Sequence, residues 1–125
     1  MDTRFTEIEA SEVQNCFPRF FDQRGCFFEI IHAGYPIGFV GIRPLDLKNC
    51  ELEVFVFKQY RNALAKGTVL AVLDLPKLVS ELGNVKRCWM KTTRRTVIKL
   101  LNSMGKYGIM HVGLLDKKHV FVREF

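Results

Sequence analysis

The alternation of apolar and polar residues is clearest over residues 51–57, which read Glu-Leu-Glu-Val-Phe-Val-Phe and predict a strand. A basic turn follows at residues 58–62, and an apolar segment with helical spacing begins at Ala63. A strand that enters a helix through a short basic loop places free backbone N–H groups and the positive end of the helix dipole beside a fixed cation. This unit therefore predicts a binding site for a phosphate group.

The remaining patterns predict a small domain with seven strands and three helical segments. We expect residues 25–57 to form an antiparallel meander and the last two strands to form a hairpin. Pro76 predicts a break or kink in the second helix, because proline disfavours helix at the preceding residue and removes a hydrogen bond. The predicted strands are residues 3–9, 25–32, 37–43, 51–57, 85–91, 107–115 and 119–125, and the predicted helices begin near Ser11, Ala63 and Arg94.

These elements predict the α+β class, with a mixed and mainly antiparallel sheet of six or seven strands that carries helices on its faces. The chain has 125 residues, of which 48% are apolar, and this composition suits one domain over residues 1–125. No apolar run reaches the roughly 18 residues that a membrane span requires, so we expect no membrane partner.

Charge is distributed unevenly along the chain. Residues 1–57 carry a net charge of −4 and residues 58–125 carry +10, so the second half predicts an anionic partner. Nucleic acid is one such partner, with Trp89 or Tyr107 available for stacking. An ordinary solvated helix face is the alternative. The basic residues concerned are Lys86, Arg87, Lys91, Arg94, Arg95, Lys99 and Lys106.

The four cysteines include no Cys-x-x-Cys pair, and we expect no secretory leader, so free thiols in a reducing, cytoplasmic compartment are predicted. The three histidines are dispersed and have no acidic neighbours at metal-ligand spacing, so no metal site is predicted. Cys88 and His111 on neighbouring strands are the alternative considered for a metal or nucleophile pair.

The order of the elements over residues 25–125 resembles the GNAT superfamily, the acyl-CoA-dependent N-acyltransferases. The cofactor loop of that family reads Arg or Gln, two residues, Gly, one residue, then Gly or Ala. Arg61 supplies the first position, whereas Leu64 and Lys66 stand at the two small-residue positions. A one-residue shift leaves Ala63, Ala65 and Gly67 as the small residues.

The resemblance implies that acetyl-CoA is the cosubstrate and that an amine-bearing acceptor, a small molecule or a protein, receives the acyl group. The implied pantetheine contacts are the strand edge at Phe55, Val56 and Phe57. The implied pyrophosphate contacts are Arg61, Asn62, Ala63, Ala65, Lys66, Gly67 and Thr68. For the basic series from Lys86 to Lys106 the resemblance adds a third interpretation, in which some of these cations attract the 3'-phosphate of CoA.

The resemblance also implies a Glu on the preceding strand that accepts the amine proton, and Glu51 and Glu53 are the candidates. The alternative is a solvated edge, or a pair to Arg43 or Lys48. The family often carries a Tyr four residues before the Gly that ends its last helix, and Leu101 stands at that position here.

Two functions are therefore predicted as alternatives. The first is acetyl transfer from acetyl-CoA to an amine. The second is a non-catalytic GNAT-like module that binds a protein or nucleic acid through its basic half. Short GNAT-like proteins occur among phage products, including virion-internal ones, so a phage origin is a further hypothesis. The last strand, residues 120–125, is the predicted pairing site for a second copy.

Overall fold

A computed structural model describes residues 2–17, 25–61, 66–79 and 82–125. These residues form one seven-stranded sheet in the order β1-β2-β3-β4-β5-β7-β6. The strands are β1 (Thr3–Ile8), β2 (Cys26–His32), β3 (Tyr35–Pro44), β4 (Asn49–Val56), β5 (Arg87–Thr92), β6 (Ile109–Leu115) and β7 (Lys118–Glu124). The helices are α1 (Lys66–Leu78) and α2 (Arg95–Asn102), with short 3-10 segments at Ala10–Val13, Lys58–Tyr60 and Gly105–Tyr107. The predicted α+β class and its mainly antiparallel sheet are confirmed.

The pairing of β4 with β5 positions the candidate site. Every other neighbouring pair of strands is antiparallel, whereas β4 and β5 run parallel. Their pairing covers only three positions, from Asn49 opposite Arg87 to Glu51 opposite Trp89. Beyond this contact, β4 continues to Val56 and β5 continues to Thr92, but the two strands no longer pair with each other. The two strands therefore diverge, and we call the space between them the β4–β5 gap.

Alternation along the strands divides the apolar residues between two cores, one on each face of the sheet. The larger core lies under α1 and α2. For α1 this is expected, because that helix is apolar on most of its surface. Its buried members include Ile30, Val40, Ile42, Leu52, Val72, Leu73, Leu101 and Phe121. The smaller core, on the opposite face, contains Val13, Phe17 and Phe27, with Phe39 and Phe55 packed against it.

Two expectations were wrong. The helix does not break at Pro76: α1 continues through it to Leu78, and Pro76 is fully buried. Packing of this apolar turn in the core offsets the lost hydrogen bond. The terminal strand is also not an edge, because β7 pairs with β5 on one side and β6 on the other. The edges of the described sheet are β1 and β6.

An ion pair attaches α1 to the interior of the sheet. Arg123 on β7 is only 8% exposed, and its Nη1 lies 2.7 Å from Asp74 Oδ1 on α1. The N–H groups are not aligned for a hydrogen bond, and Arg123 Nε has no hydrogen-bond partner among the described residues. The carboxylate is therefore the main compensation for a buried charge, and its loss is expected to cost more than a surface pair would.

We predict that Asp74→Asn lowers the free energy of unfolding by about 2 kcal/mol, less than for a fully buried pair because the Asp74 side chain is 47% exposed. Thermal unfolding should show a midpoint several degrees lower. Asp116→Asn, in the exposed turn between β6 and β7, is the control and should leave the midpoint unchanged. Equal midpoints for both variants would show that Asp74 does not stabilise Arg123.

Candidate active site

A cavity of about 240 Å³ lies at the β4–β5 gap, between the sheet and the two helices. Six of the described residues that line it have polar side chains, and the others are apolar. The polar members are Glu53, Arg61, Thr68, Lys91, Thr92 and Arg94, and the apolar members include Leu52, Val54, Val56, Val69, Met90, Val97, Leu100 and Leu101. Apolar walls with a few polar groups are typical of sites for small organic ligands.

The backbone of β4 faces this cavity on one side. The Phe57 N–H donates to the Ile37 carbonyl at 2.9 Å, which fixes the alternation of hydrogen bonds between β3 and β4. The odd-numbered residues of β4 therefore direct their N–H and C=O groups toward β3. Val54 and Val56, which are even-numbered, direct theirs toward the β4–β5 gap. The Val56 carbonyl accepts a hydrogen bond from Arg61 Nε at 2.8 Å. The peptide groups of Val54 remain available for a ligand that enters the gap.

Arg61 is held against the end of β4. In addition to the bond to Val56, its guanidinium lies over the Phe55 ring, 5.8 Å from the centroid. The structure records no partner among the described residues for its two terminal nitrogens. A guanidinium fixed in this way at the edge of a cavity can bind an anionic oxygen with its remaining donors.

The first turn of α1 begins at Lys66, five positions after this arginine in the chain. Lys66 and Gly67 are exposed there, and a Cβ added at Gly67 would have no atom within 4 Å. Thr68 is 4% exposed, and its hydroxyl lies 3.3 Å from His32 Nδ1 and 3.4 Å from Thr3 Oγ1. Its side chain therefore anchors the helix to β1 and β2. The predicted contacts Asn62, Ala63 and Ala65 lie outside the described residues.

The two candidate bases have different surroundings. The Glu51 side chain is 4% exposed, with Oε1 2.7 Å from Arg43 Nε and Oε2 3.7 Å from Lys91 Nζ. The ion pair to Arg43 that the sequence offered as an alternative is therefore formed. Glu53 is partly buried and lines the cavity. Of the two carboxylates, Glu53 is in contact with the space where a ligand would bind.

The wall that α2 contributes is apolar. Val97, Leu100 and Leu101 line the cavity, and Leu101 is 4% exposed at the position where the resemblance would place a Tyr. Tyr107 lies past the end of α2, with Lys106 Nζ 5.1 Å from its ring centroid, and it does not line the cavity. No phenol among the described residues reaches this site.

Cysteine and histidine form no further site in the described part of the chain. Cys50 and Cys88 are paired residues of β4 and β5 and are fully buried. A hydrogen bond with Cys50 and burial raise the pKa of Cys88 well above its usual value. His111 lies 2.9 Å from His119, and β7 separates its strand from that of Cys88. No group of three or more metal-ligating side chains converges among the residues described.

Sequence reasoning missed part of this cavity. Val54 was predicted only as a residue of a strand, and Thr92 was given no role. Lys91 and Arg94 were read as members of a basic surface. Val54 carries no signal in a single sequence, since its role depends on which strand neighbours it. Lys91 carries one weak signal, because it is the charged residue that directly follows the apolar residues 88–90 near the end of the strand.

The comparisons with known proteins identify the fold. No family model matches the sequence, and no curated protein matches it. Among solved structures, a chimera of the spermidine N-acetyltransferase SpeG from Vibrio cholerae and hSSAT has a TM-score of 0.67 at 9% identity, over 99% of this chain and 96% of that one. A GNAT family acetyltransferase from Elizabethkingia anophelis with acetyl-CoA bound has 0.67 at 11%, over 98% of each chain. The PaiA N-acetyltransferase from Thermoplasma acidophilum in complex with coenzyme A has 0.65 at 10%, over 100% of each. The chain therefore has the GNAT fold. Identities this low establish the fold alone.

No helix in the described ranges has the length and apolar character needed to cross a membrane.

The paired cysteines give a test of how the β4–β5 gap is closed at its base. We predict that Cys50 and Cys88 resist alkylation by iodoacetamide in the folded protein at pH 8, because both are buried and the raised pKa of Cys88 keeps its thiol protonated. Cys16 and Cys26, which are partly exposed, should react first. Peptide mass spectrometry of the native and denatured protein measures this difference. Equal labelling of all four thiols would show that β4 and β5 separate at their paired residues.

Proposed function

We propose that this protein is an acetyl-CoA-dependent N-acetyltransferase. The observation that carries the proposal is the open edge of β4 at Val54, exposed to the cavity in the β4–β5 gap, with Arg61 at one end and Glu53 beside it. The GNAT fold and the acetyltransferases that share it give this arrangement its context.

The groups around the cavity suit the parts of acetyl-CoA. The carbonyl group of Val54 would accept a hydrogen bond from an amide of the pantetheine, and the apolar wall from Val97 to Leu101 would pack against its carbon chain. Arg61 and the free N–H groups at the first turn of α1 would hold the pyrophosphate, where Gly67 leaves room for its oxygens. When bound, acetyl-CoA supplies an acetyl group as a reactive thioester.

The protein's own contributions to the reaction are positioning and proton transfer. Glu53 would accept the proton of the attacking amine, since it is the carboxylate in contact with the cavity. The Val54 N–H would donate to the carbonyl oxygen as negative charge develops on it. The new amide bond forms between the amine nitrogen and the acetyl carbon while the thioester C–S bond breaks. The departing sulfur would take its proton from water, because α2 offers only Leu101 at this place.

A second candidate is a non-catalytic GNAT-fold module that binds a protein or nucleic acid. The outer surface of α2 favours it, because Arg95 and Lys99 are exposed there and the helix contains no acidic residue. The apolar residue at Leu101 agrees with this alternative as well. Binding of acetyl-CoA distinguishes the two.

We predict that saturating acetyl-CoA raises the midpoint of thermal unfolding by several degrees, because a ligand at about 100 times its dissociation constant adds roughly 2.7 kcal/mol to stability. Arg61→Ala should remove most of this increase. Gly67→Ala should also reduce it without lowering the unliganded midpoint, since the added methyl group contacts nothing in the protein and alanine favours the helix.

Arg4→Ala is the matched control and should retain the full increase. Arg4 is an exposed arginine on β1, an edge strand of the described sheet that is separated from β4 by two strands. An unchanged midpoint for the wild type at millimolar acetyl-CoA would exclude the enzymatic proposal and favour the binding module.

The two glutamates should separate catalysis from stability. Glu53→Gln should lower kcat by about 10²-fold or more at neutral pH and preserve the acetyl-CoA-induced increase in midpoint, because it removes the proton acceptor alone. Glu51→Gln should instead lower the midpoint without ligand, because it leaves Arg43 and Lys91 without their carboxylate. Release of the CoA thiol in the presence of primary amines measures activity. If Glu53→Gln retained full kcat, Glu53 would not be the base.

A further inference from the structure

Lys91 is the last residue but one of β5, at the point where that strand leaves β4. Its Nζ lies 3.7 Å from Glu51 Oε2, so its side chain is on the face of the sheet that carries Glu51. Strand alternation places Glu53 on that same face. Lys91 and Glu53 both line the cavity, one on each side of the β4–β5 gap. A cation and the proposed base therefore stand together on the face opposite the helices.

The ammonium of Lys91 is only partly neutralised. Glu51 makes its short contact with Arg43, at 2.7 Å, and its contact with Lys91 is longer than a hydrogen bond. The Lys91 side chain is 26% exposed. Because an ammonium has three donors, Lys91 keeps donors for a ligand in the gap. Arg43, with its side chain 18% exposed, reinforces the positive potential on this side.

The charges of the residues that line the cavity also favour a ligand with an anionic group. Among the described residues that line it, three are cationic, Arg61, Lys91 and Arg94, and one is a carboxylate, Glu53. Arg61 directly follows the 3-10 segment Lys58–Tyr60, on the side where the phosphates of the cosubstrate are proposed to bind. Lys91 is the cation that shares a face with the base. A polycationic amine such as a polyamine would be attracted by the Glu53 carboxylate but repelled by the Lys91 ammonium.

We infer, on the basis of the proposed function, that the acceptor is a primary amine that also carries an anionic group, a carboxylate or a phosphate, a few bonds from the nitrogen. Lys91 binds the anionic group and thereby places the amine beside Glu53. The amine then loses its proton to Glu53 as its nitrogen bonds to the acetyl carbon. Lys91 is a specificity-determining residue in this arrangement.

Acetyl transfer to matched pairs of amines tests the inference. The pairs are β-alanine with β-alaninamide, and phosphoethanolamine with ethanolamine, and spermidine is the polycationic comparison. For the wild-type protein we expect kcat/KM to be at least about tenfold higher for an anionic member than for its neutral partner, the size of effect expected from one charge-assisted contact. The pair with the larger ratio identifies carboxylate or phosphate as the preferred group.

Lys91→Gln should raise KM for the anionic amine with a smaller change in kcat, and should lower the ratio of kcat/KM for the anionic amine to that for its neutral partner toward one. Comparing each variant with the wild type on the same amine removes differences in intrinsic reactivity. Lys91→Arg should retain the preference, and Lys91→Met, which keeps the aliphatic stem, should lose it. Lys48→Gln, at the exposed turn before β4, removes the same charge from the other end of the strand and should change nothing.

The outcomes separate this inference from the proposed function. Acetylation with equal or better use of spermidine, or a preference that survives both Lys91→Gln and Lys91→Met, would overturn the inference and leave the acetyltransferase intact. Absence of both acetyl-CoA binding and thiol release would overturn the proposed function, and the inference with it.

Discussion

The parallel contact between β4 and β5, and its end after three residue pairs, is the constraint on which the rest of this structure depends. Two small buried side chains, Cys50 and Cys88, allow the strands to approach closely at the start of this contact. Asn49 strengthens it, because its Oδ1 accepts hydrogen bonds from Arg87 Nε at 3.0 Å and Trp89 Nε1 at 2.9 Å. Beyond Glu51 the strands separate, and the sheet acquires an opening that is lined by both backbone and side chains.

Divergence of two strands within a sheet leaves peptide groups without partners, and that is costly unless a ligand or water satisfies them. β4 reduces this cost at one point, because Arg61 donates to the Val56 carbonyl. The peptide groups of Val54 lie beyond the last residue of β4 that pairs with β5, and this is where a ligand with amide groups would pair. The same arginine thus completes the end of the strand and faces the proposed phosphate site, so the local fold and the proposed function depend on one side chain.

The ion cluster at the base of the β4–β5 gap has a related double role. Glu51 is almost fully buried and would be unfavourable without Arg43 and Lys91. Its charge therefore holds two cations in place. Glu51 and Glu53 lie two residues apart on one face of β4 but differ in access, because Glu53 lines the cavity whereas Glu51 is held in this buried ion cluster.

The sequence by itself determined the elements and their order, because these follow from local properties. Strands from Cys26 to Glu124 were predicted within one or two residues, since alternation and terminating glycines act over a few positions. Pro76 was misread for the same local reason: the rule on proline holds in isolation, and burial in the core outweighed it. The tertiary structure alone decided that β7 lies inside the sheet, that Glu51 is neutralised, and that Val54 and Lys91 face one cavity. These facts depend on which strand neighbours which, and contacts between residues far apart in the chain leave no periodic trace in the sequence.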